Sequence, residues 1–123
     1  MSGQHSVEKI GGTSMAATAV LFDNVLIAGR KGADLYNRVF VVSAYAGMTD
    51  LLLEHKKSGK PGVYARFVAD DGADGWRDAI ETVRGAMHAR NADMFARAES
   101  LAEANAFVDA RIDAVAACLD DLA

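Results

Sequence analysis

Apolar residues in the second half of the chain recur at steps of three and four residues, which is the period of one face of a helix. One run begins at Trp76 and a second begins at Ala104. The runs consist of Trp76, Ile80, Val83, Met87 and Met94, and of Ala104, Val108, Ile112, Val115, Leu119 and Leu122. Two such runs predict a helical hairpin packed along a shared seam, with Trp76 as an anchor and Asp74 capping its first helix.

The first half alternates short strand-like runs with helical ones. Residues 4–10 and 38–43 are predicted strands, and residues 15–28 between them have helical spacing. This order predicts a βαβ unit with a parallel pair of strands. The second run, RVFVVS, is a continuous stretch of β-branched and aromatic residues between its arginine and its serine, which is typical of a strand buried on both faces.

Several polar residues are predicted to bound the helices of the first half. Thr13 and Ser14 precede the helix at 15–28, and Thr49 and Asp50 precede a helix through residues 51–55. The segment at 58–62, which holds the single proline, is expected to end that second helix. Residues 63–73 are expected to be irregular.

Charge separates the two halves. The chain carries a net charge of −4, with a balance of +3 in residues 1–66 and of −7 in residues 67–123. An acidic protein is a poor nucleic-acid binder, because that function needs a basic face. The positive excess in the first half is compatible with a small anionic ligand, and equally with ordinary surface charge.

Membrane, secretory and metal-binding classes find no support in the sequence. No run approaches the ~20 uncharged apolar residues of a membrane span, and the start MSGQHS lacks the pattern of a signal peptide. The single cysteine, Cys118, and the three scattered histidines have no metal-ligand spacing. We therefore expect a cytoplasmic protein without a bound metal site.

The sequence KIGGTS at residues 9–14 follows the first predicted strand. Glycines at such a junction let the backbone approach a phosphate, and a neighbouring lysine neutralises its charge. The order matches neither the GxxxxGK[ST] loop nor the GxGxxG dinucleotide motif. A phosphate site is one interpretation, and a tight turn with an exposed lysine is the other.

The sequence SAYAGMTD at residues 43–50 follows the second predicted strand. Open α/β sheets bind ligands at the carboxyl ends of their strands. Ser43 and Thr49 would offer hydroxyls to a carboxylate or phosphate. Alternatively, Thr49 caps a helix and a buried Ser43 bonds to the backbone.

The two motifs together carry a family resemblance. Residues 7–14, VEKIGGTS, and 41–52, VVSAYAGMTDLL, resemble the start of an aspartate kinase of the amino acid kinase superfamily, in the family's order and at about its spacing. Residues 53–64 further resemble the aspartate kinases encoded with ectoine biosynthesis. Ile10 departs from the pattern, since many members carry Phe there.

The resemblance implies an α/β fold, namely the N-terminal part of a three-layer αβα amino acid kinase domain with a parallel sheet, followed by a helical hairpin. Residues 1–66 would form the substrate and phosphate part and residues 67–123 the helical part. The family's Ser-x-Gly-Glu motif is absent from the sequence. We therefore expect a fragment that is inactive alone, with a degenerate partner subunit or another amino acid kinase as alternatives.

The implied reaction transfers the ATP γ-phosphoryl group to the side-chain carboxylate of L-aspartate, with Mg²⁺ arriving on the nucleotide. The full-length protein would be a homo-oligomer, with neither nucleic acid nor membrane as a partner. The resemblance gives Lys9 a catalytic role and places Ser43 and Thr49 at the aspartate. The residues expected at the ATP phosphates are Lys9, Gly11, Gly12, Thr13 and Ser14.

Overall fold

The computed structural model describes residues 5–69 and 75–123. The chain divides into two compact units, Met1–Ala46 and Gly47–Ala123, here called the N-terminal and C-terminal units. The α/β class is confirmed, because a small parallel sheet is combined with helices.

The sheet of the N-terminal unit consists of two parallel strands. Strand β1 spans Ser6–Ile10 and strand β2 spans Arg38–Val42. Their register pairs Ser6 with Arg38 and ends with Ile10 beside Val42. The predicted βαβ order is therefore confirmed, and the carboxyl ends of both strands lie at one edge of the sheet.

The prediction that β2 is buried on both faces is wrong. Val39 and Val41 are about half exposed, whereas Ile10 of β1 is buried with Met15 and Leu21. Side chains alternate between the faces of a strand. Within the described residues, the segment between the strands covers one face of the sheet, and the face with Val39 and Val41 stays open.

The predicted helix at 15–28 is interrupted. A 3₁₀ turn spans Ser14–Ala16, helix α1 spans Thr18–Leu21, and a π-helix continues through Phe22–Ile27. The break lies at Ala17, whose φ of −123° and ψ of 63° are not helical. A further 3₁₀ turn, Gly32–Leu35, leads into β2.

The predicted helix caps at Thr13 and Thr49 are wrong. Thr13 has helical backbone angles, whereas a capping residue needs an extended conformation, and its side chain makes no capping hydrogen bond. Helix α2 spans Met48–Leu52, so Thr49 and Asp50 lie inside it. Gly47 precedes the helix instead, with a φ of 85° that favours glycine.

Helix α2 is shorter than predicted, and the segment with the proline folds back on it. Glu54 and Pro61 form an isolated antiparallel bridge. The Gly62 amide donates to the Leu53 carbonyl at 3.0 Å, which closes the loop. The proline therefore belongs to this loop.

Three further helices complete the C-terminal unit. Helix α3 spans Val63–Ala69, helix α4 spans Gly75–Met94 and helix α5 spans Ala98–Leu122. The hairpin of α4 and α5 is confirmed. The prediction of irregular structure at 63–73 is wrong over α3, because Val63 and Phe67 face the core of the unit. Its remainder and the Asp74 cap lie outside the described residues.

The core of the C-terminal unit lies along the hairpin seam. Trp76, as predicted, is an anchor there, and its ring meets the ring of Phe67 edge to face at a centroid distance of 6.0 Å. Val115 is 39% exposed, and Ala116 packs against the core in its place. The buried residues are Val63, Trp76, Ile80, Val83, Val108 and Ile112. Among the described residues, no helix is long and apolar enough to cross a membrane.

Candidate functional site

Gly11 and Gly12 directly follow β1, and neither has a positive φ. A Cβ added to Gly11 would meet no atom within 4 Å, and one added to Gly12 would meet only the Cβ of Ser43, at 4.0 Å. Local packing therefore does not require glycine at either position. An exposed turn without side chains leaves room for a ligand against the backbone.

The backbone amides after Gly11 form a set of free donors. The Gly11 carbonyl accepts from Met15, and the Thr13 carbonyl accepts from Ala16. No backbone carbonyl among the described residues accepts from the amides of Gly12, Thr13 or Ser14. Consecutive unpaired amides suit an anion.

Lys9 lies on β1 two residues before this turn. Its neighbour Ile10 is buried, so alternation puts Lys9 on the open face of the sheet, where its side chain is exposed. The salt bridges of the described residues do not include Lys9. The ammonium therefore remains available to an anionic ligand.

Ser43 continues the pairing of the two strands. Its amide donates to the Ile10 carbonyl at 3.1 Å, and its Cβ would lie 4.0 Å from a Cβ added at Gly12. Parallel pairing thus brings the residue after β2 next to the glycine turn after β1. Ser43 is exposed, so the alternative of a buried serine is wrong.

Thr49 lies in the first turn of α2, in the C-terminal unit, and is exposed. Because Gly47 is the residue before this helix, the alternative of a Thr49 cap is wrong as well. The Thr49 carbonyl accepts from Leu53 at 2.9 Å.

Tyr45 is a residue that the motif analysis did not single out. It packs against the cluster of Ile10, Met15 and Leu21. Burial raises the pKa of its phenol, because the charged form loses water. The sequence feature that could have identified Tyr45 is its position as an aromatic residue within a loop of small residues.

The electrostatics of the sheet centre on Arg38 and Glu8. The Arg38 guanidinium lies over the ring of Phe40, 4.5 Å from its centroid, and makes two hydrogen bonds to Glu8. The hydrogen bonds from Arg38 lower the pKa of Glu8 to about 2. Glu8 stays ionised and paired, so it does not compete for the neighbouring Lys9.

No group of three potential metal ligands occurs among the described residues.

A protein described as aspartate kinase Ask_Ect, from Stutzerimonas stutzeri (strain A1501), is 52% identical to this chain over 118 residues. The match covers 96% of this chain and 25% of that protein, so the chain spans about a quarter of the relative's length. No family model and no solved structure matches the chain. The resemblance that the two motifs carry is thus confirmed, and over nearly all of its length the chain is similar to an aspartate kinase.

Proposed function

We propose that this chain is the N-terminal part of an aspartate kinase catalytic domain. The observation that carries the proposal is the 52% identity over 118 residues to a protein of that name. The proposed fold is the three-layer αβα amino acid kinase fold, with residues 1–66 as its substrate and phosphate part and residues 67–123 as its helical part. The ectoine type and a homo-oligomeric full-length protein are parts of the same proposal.

The proposed reaction forms an acyl phosphate. A carboxylate oxygen of L-aspartate attacks the γ-phosphorus of ATP, the bond to the β-phosphate oxygen breaks, and ADP leaves. Such transfers depend on positioning and on charge neutralisation. Lys9, exposed and without an ion pair among the described residues, would neutralise the charge of the transferring group.

The glycine turn would hold the nucleotide phosphates. Gly11 leaves the backbone open to approach, and the free amides of Gly12, Thr13 and Ser14 are donors for phosphate oxygens. Mg²⁺ would arrive bound to the phosphates, as the similarity to an aspartate kinase implies.

The hydroxyls of Ser43 and Thr49 would hold aspartate. Both side chains are exposed. Ser43 is not buried and Thr49 does not cap α2, so neither structural alternative explains these hydroxyls. Ser43 has the stronger support, because it lies beside Gly12 at the shared carboxyl edge of the two strands.

Nucleotide binding tests the proposal without requiring turnover. Calorimetric titration with MgATP should show binding to the chain, weakened about tenfold or more by Lys9→Ala, since a charged hydrogen bond contributes ~1.5–3 kcal/mol. Lys60→Ala, which removes an exposed lysine of the C-terminal unit, is the matched control and should bind normally. Absence of binding, or equal loss in both variants, would contradict the proposal.

A further inference from the structure

Tyr45 lies in the loop that joins strand β2 to helix α2. The residues of this loop, 43–47, read SAYAG, so Tyr45 supplies its single large side chain. Ser43 and Ala44 are exposed, whereas Tyr45 is partly buried. Anchoring of the loop through side chains therefore depends mainly on Tyr45.

The side chain of Tyr45 packs against the buried cluster of Ile10, Met15 and Leu21. Ile10 directly precedes the glycine turn, residues 11–14, and Met15 directly follows it. The cluster thus contains the residues on both sides of the turn. Because buried side chains are closely packed, a contact with this cluster restrains the turn as well as the loop.

The backbone attaches the same loop to the same strand. The Ser43 amide donates to the Ile10 carbonyl at 3.1 Å, which continues the pairing of the two strands. A Cβ added at Gly12 would meet the Cβ of Ser43 at 4.0 Å. The loop is therefore held at two points, by the backbone at Ser43 and by the side chain of Tyr45.

Phosphoryl transfer depends on the relative position of its two substrates. Under the proposed function, the amides of residues 12–14 hold the phosphates of ATP and the Ser43 hydroxyl holds aspartate. A displacement of about 1 Å in such a site can cost on the order of a hundredfold in rate. A side chain that packs between the two segments is placed to limit this displacement.

We propose that Tyr45 is a positioning residue, whose ring fixes the Ser43 loop to the glycine turn. This role rests on the proposed function, because that function assigns the loop to aspartate and the turn to ATP. The ring makes the contact with the cluster, so Tyr45→Phe should behave as the parent chain does. Tyr45→Ala removes the ring and should loosen both segments.

Hydrogen exchange followed by NMR tests the anchor on the 123-residue chain without a ligand. Tyr45→Ala should speed exchange of the Ser43 amide about tenfold or more, because the end of β2 opens more often. Leu26→Ala is the matched control, since Leu26 is another partly buried side chain that packs against the same cluster. It should change that exchange rate by less than about twofold, because a strand end exchanges through local opening.

Calorimetric titration with MgATP tests the consequence for the site. Tyr45→Ala should bind about fivefold or more weakly than the parent chain, since the ordering of a looser turn opposes binding. Tyr45→Phe and Leu26→Ala should bind within about twofold of the parent chain. Tyr45→Leu keeps an apolar side chain and should weaken binding about threefold, which provides a milder variant if Tyr45→Ala does not fold.

Unchanged exchange of the Ser43 amide in Tyr45→Ala would overturn the proposal, as would MgATP affinity equal to that of the parent chain. Equal losses in Tyr45→Ala and Leu26→Ala would assign Tyr45 to stability alone, and equal losses in Tyr45→Phe and Tyr45→Ala would assign the effect to the hydroxyl. Either result also overturns it. A parent chain that does not bind MgATP would contradict the proposed function, and the exchange rates would decide the anchor separately.

Discussion

Arg38, the first residue of β2, holds Glu8 of β1 through hydrogen bonds of 2.6 Å from Nε and 2.5 Å from a terminal nitrogen. The same guanidinium donates to the carbonyls of Leu26 and Val25, at 2.5 and 2.8 Å. Its side chain is 3% exposed. One arginine therefore joins both strands to the end of the π-helix.

This ion pair predicts a loss of stability in acid. The folded-state pKa of Glu8 is about 2, below its usual value of 4.5, because Arg38 donates hydrogen bonds to the carboxylate. As pH falls, the unfolded chain takes up the proton first, so stability present above about pH 4.5 is lost toward pH 2. The free energy of unfolding, measured with urea between pH 2 and 6, should decline as the pH falls. Glu8→Gln should make that decline shallower.

Asp109 also contributes to the decline, because Arg84 and His88 lower its pKa. The quantity to compare is therefore the pH dependence of the unfolding free energy in the parent chain and in Glu8→Gln. Glu99→Gln changes an exposed carboxylate of α5 and is the control. Its stability should depend on pH in the same way as that of the parent chain. A slope identical in Glu8→Gln and in the parent would show that the pair contributes nothing.

Two glycines should respond oppositely to alanine. A Cβ at Gly62 would lie 2.3 Å from the Leu51 carbonyl oxygen and 2.8 Å from that of Leu53, so Gly62→Ala should cost about 1–3 kcal/mol of unfolding free energy. Gly11→Ala meets open space, and should leave stability unchanged or raise it by up to about 1 kcal/mol. Chemical denaturation measures both.

Gly11→Ala has a second consequence under the proposed function. If the glycine serves ligand approach, the variant should be as stable as the parent chain and bind MgATP more weakly. Gly85→Ala, at an exposed position of helix α4, should gain about 1 kcal/mol of stability and leave MgATP binding unchanged. If Gly11→Ala binds MgATP as well as the parent chain, Gly11 is not needed for the approach of the ligand to the backbone.

The hairpin core predicts unequal costs for two valines. Val83 is fully buried, and Val83→Ala should cost about 2–3 kcal/mol, from lost burial and the cavity left behind. Val115→Ala, at a 39% exposed position, should cost less than about 1 kcal/mol. Equal costs from denaturant unfolding would mean that α5 packs through a different face.

The 123-residue chain should not form aspartyl phosphate by itself. It spans about a quarter of its relative, and a partial site loses both positioning and charge. Hydroxylamine trapping of acyl phosphate, with ATP and L-aspartate present, should give no product. Turnover that Lys9→Ala abolishes would show that this stretch contains a sufficient site.

The helical hairpin was predictable because a long repeat averages over local irregularities. The exact residues that face the core were harder to predict. A step of three residues from Ile112 leads to Val115 and a step of four leads to Ala116, and both steps fit a helix. Helix α3 was missed because seven residues contain too few turns for a period to stand out.

The structure of the N-terminal unit depends on features that the spacing of apolar residues does not reveal. The break at Ala17 and the π-helix are backbone states, and the pair of Glu8 and Arg38 joins residues thirty positions apart. The sequence placed the glycine turn and Ser43 after their strands, and the parallel register makes them neighbours. The open face of the sheet was missed, because an apolar strand does not reveal how many elements cover it.

The π-helix constrains how the length of this segment can vary during evolution. A π-helix holds one residue more than the α-helical turn it replaces, and a single deletion within Phe22–Ile27 would restore ordinary helical pairing. The deletion would also rotate the carbonyls of Val25 and Leu26 away from Arg38. Homologous sequences that lack one residue here should therefore also have replaced the arginine, so that gap and substitution are inherited together.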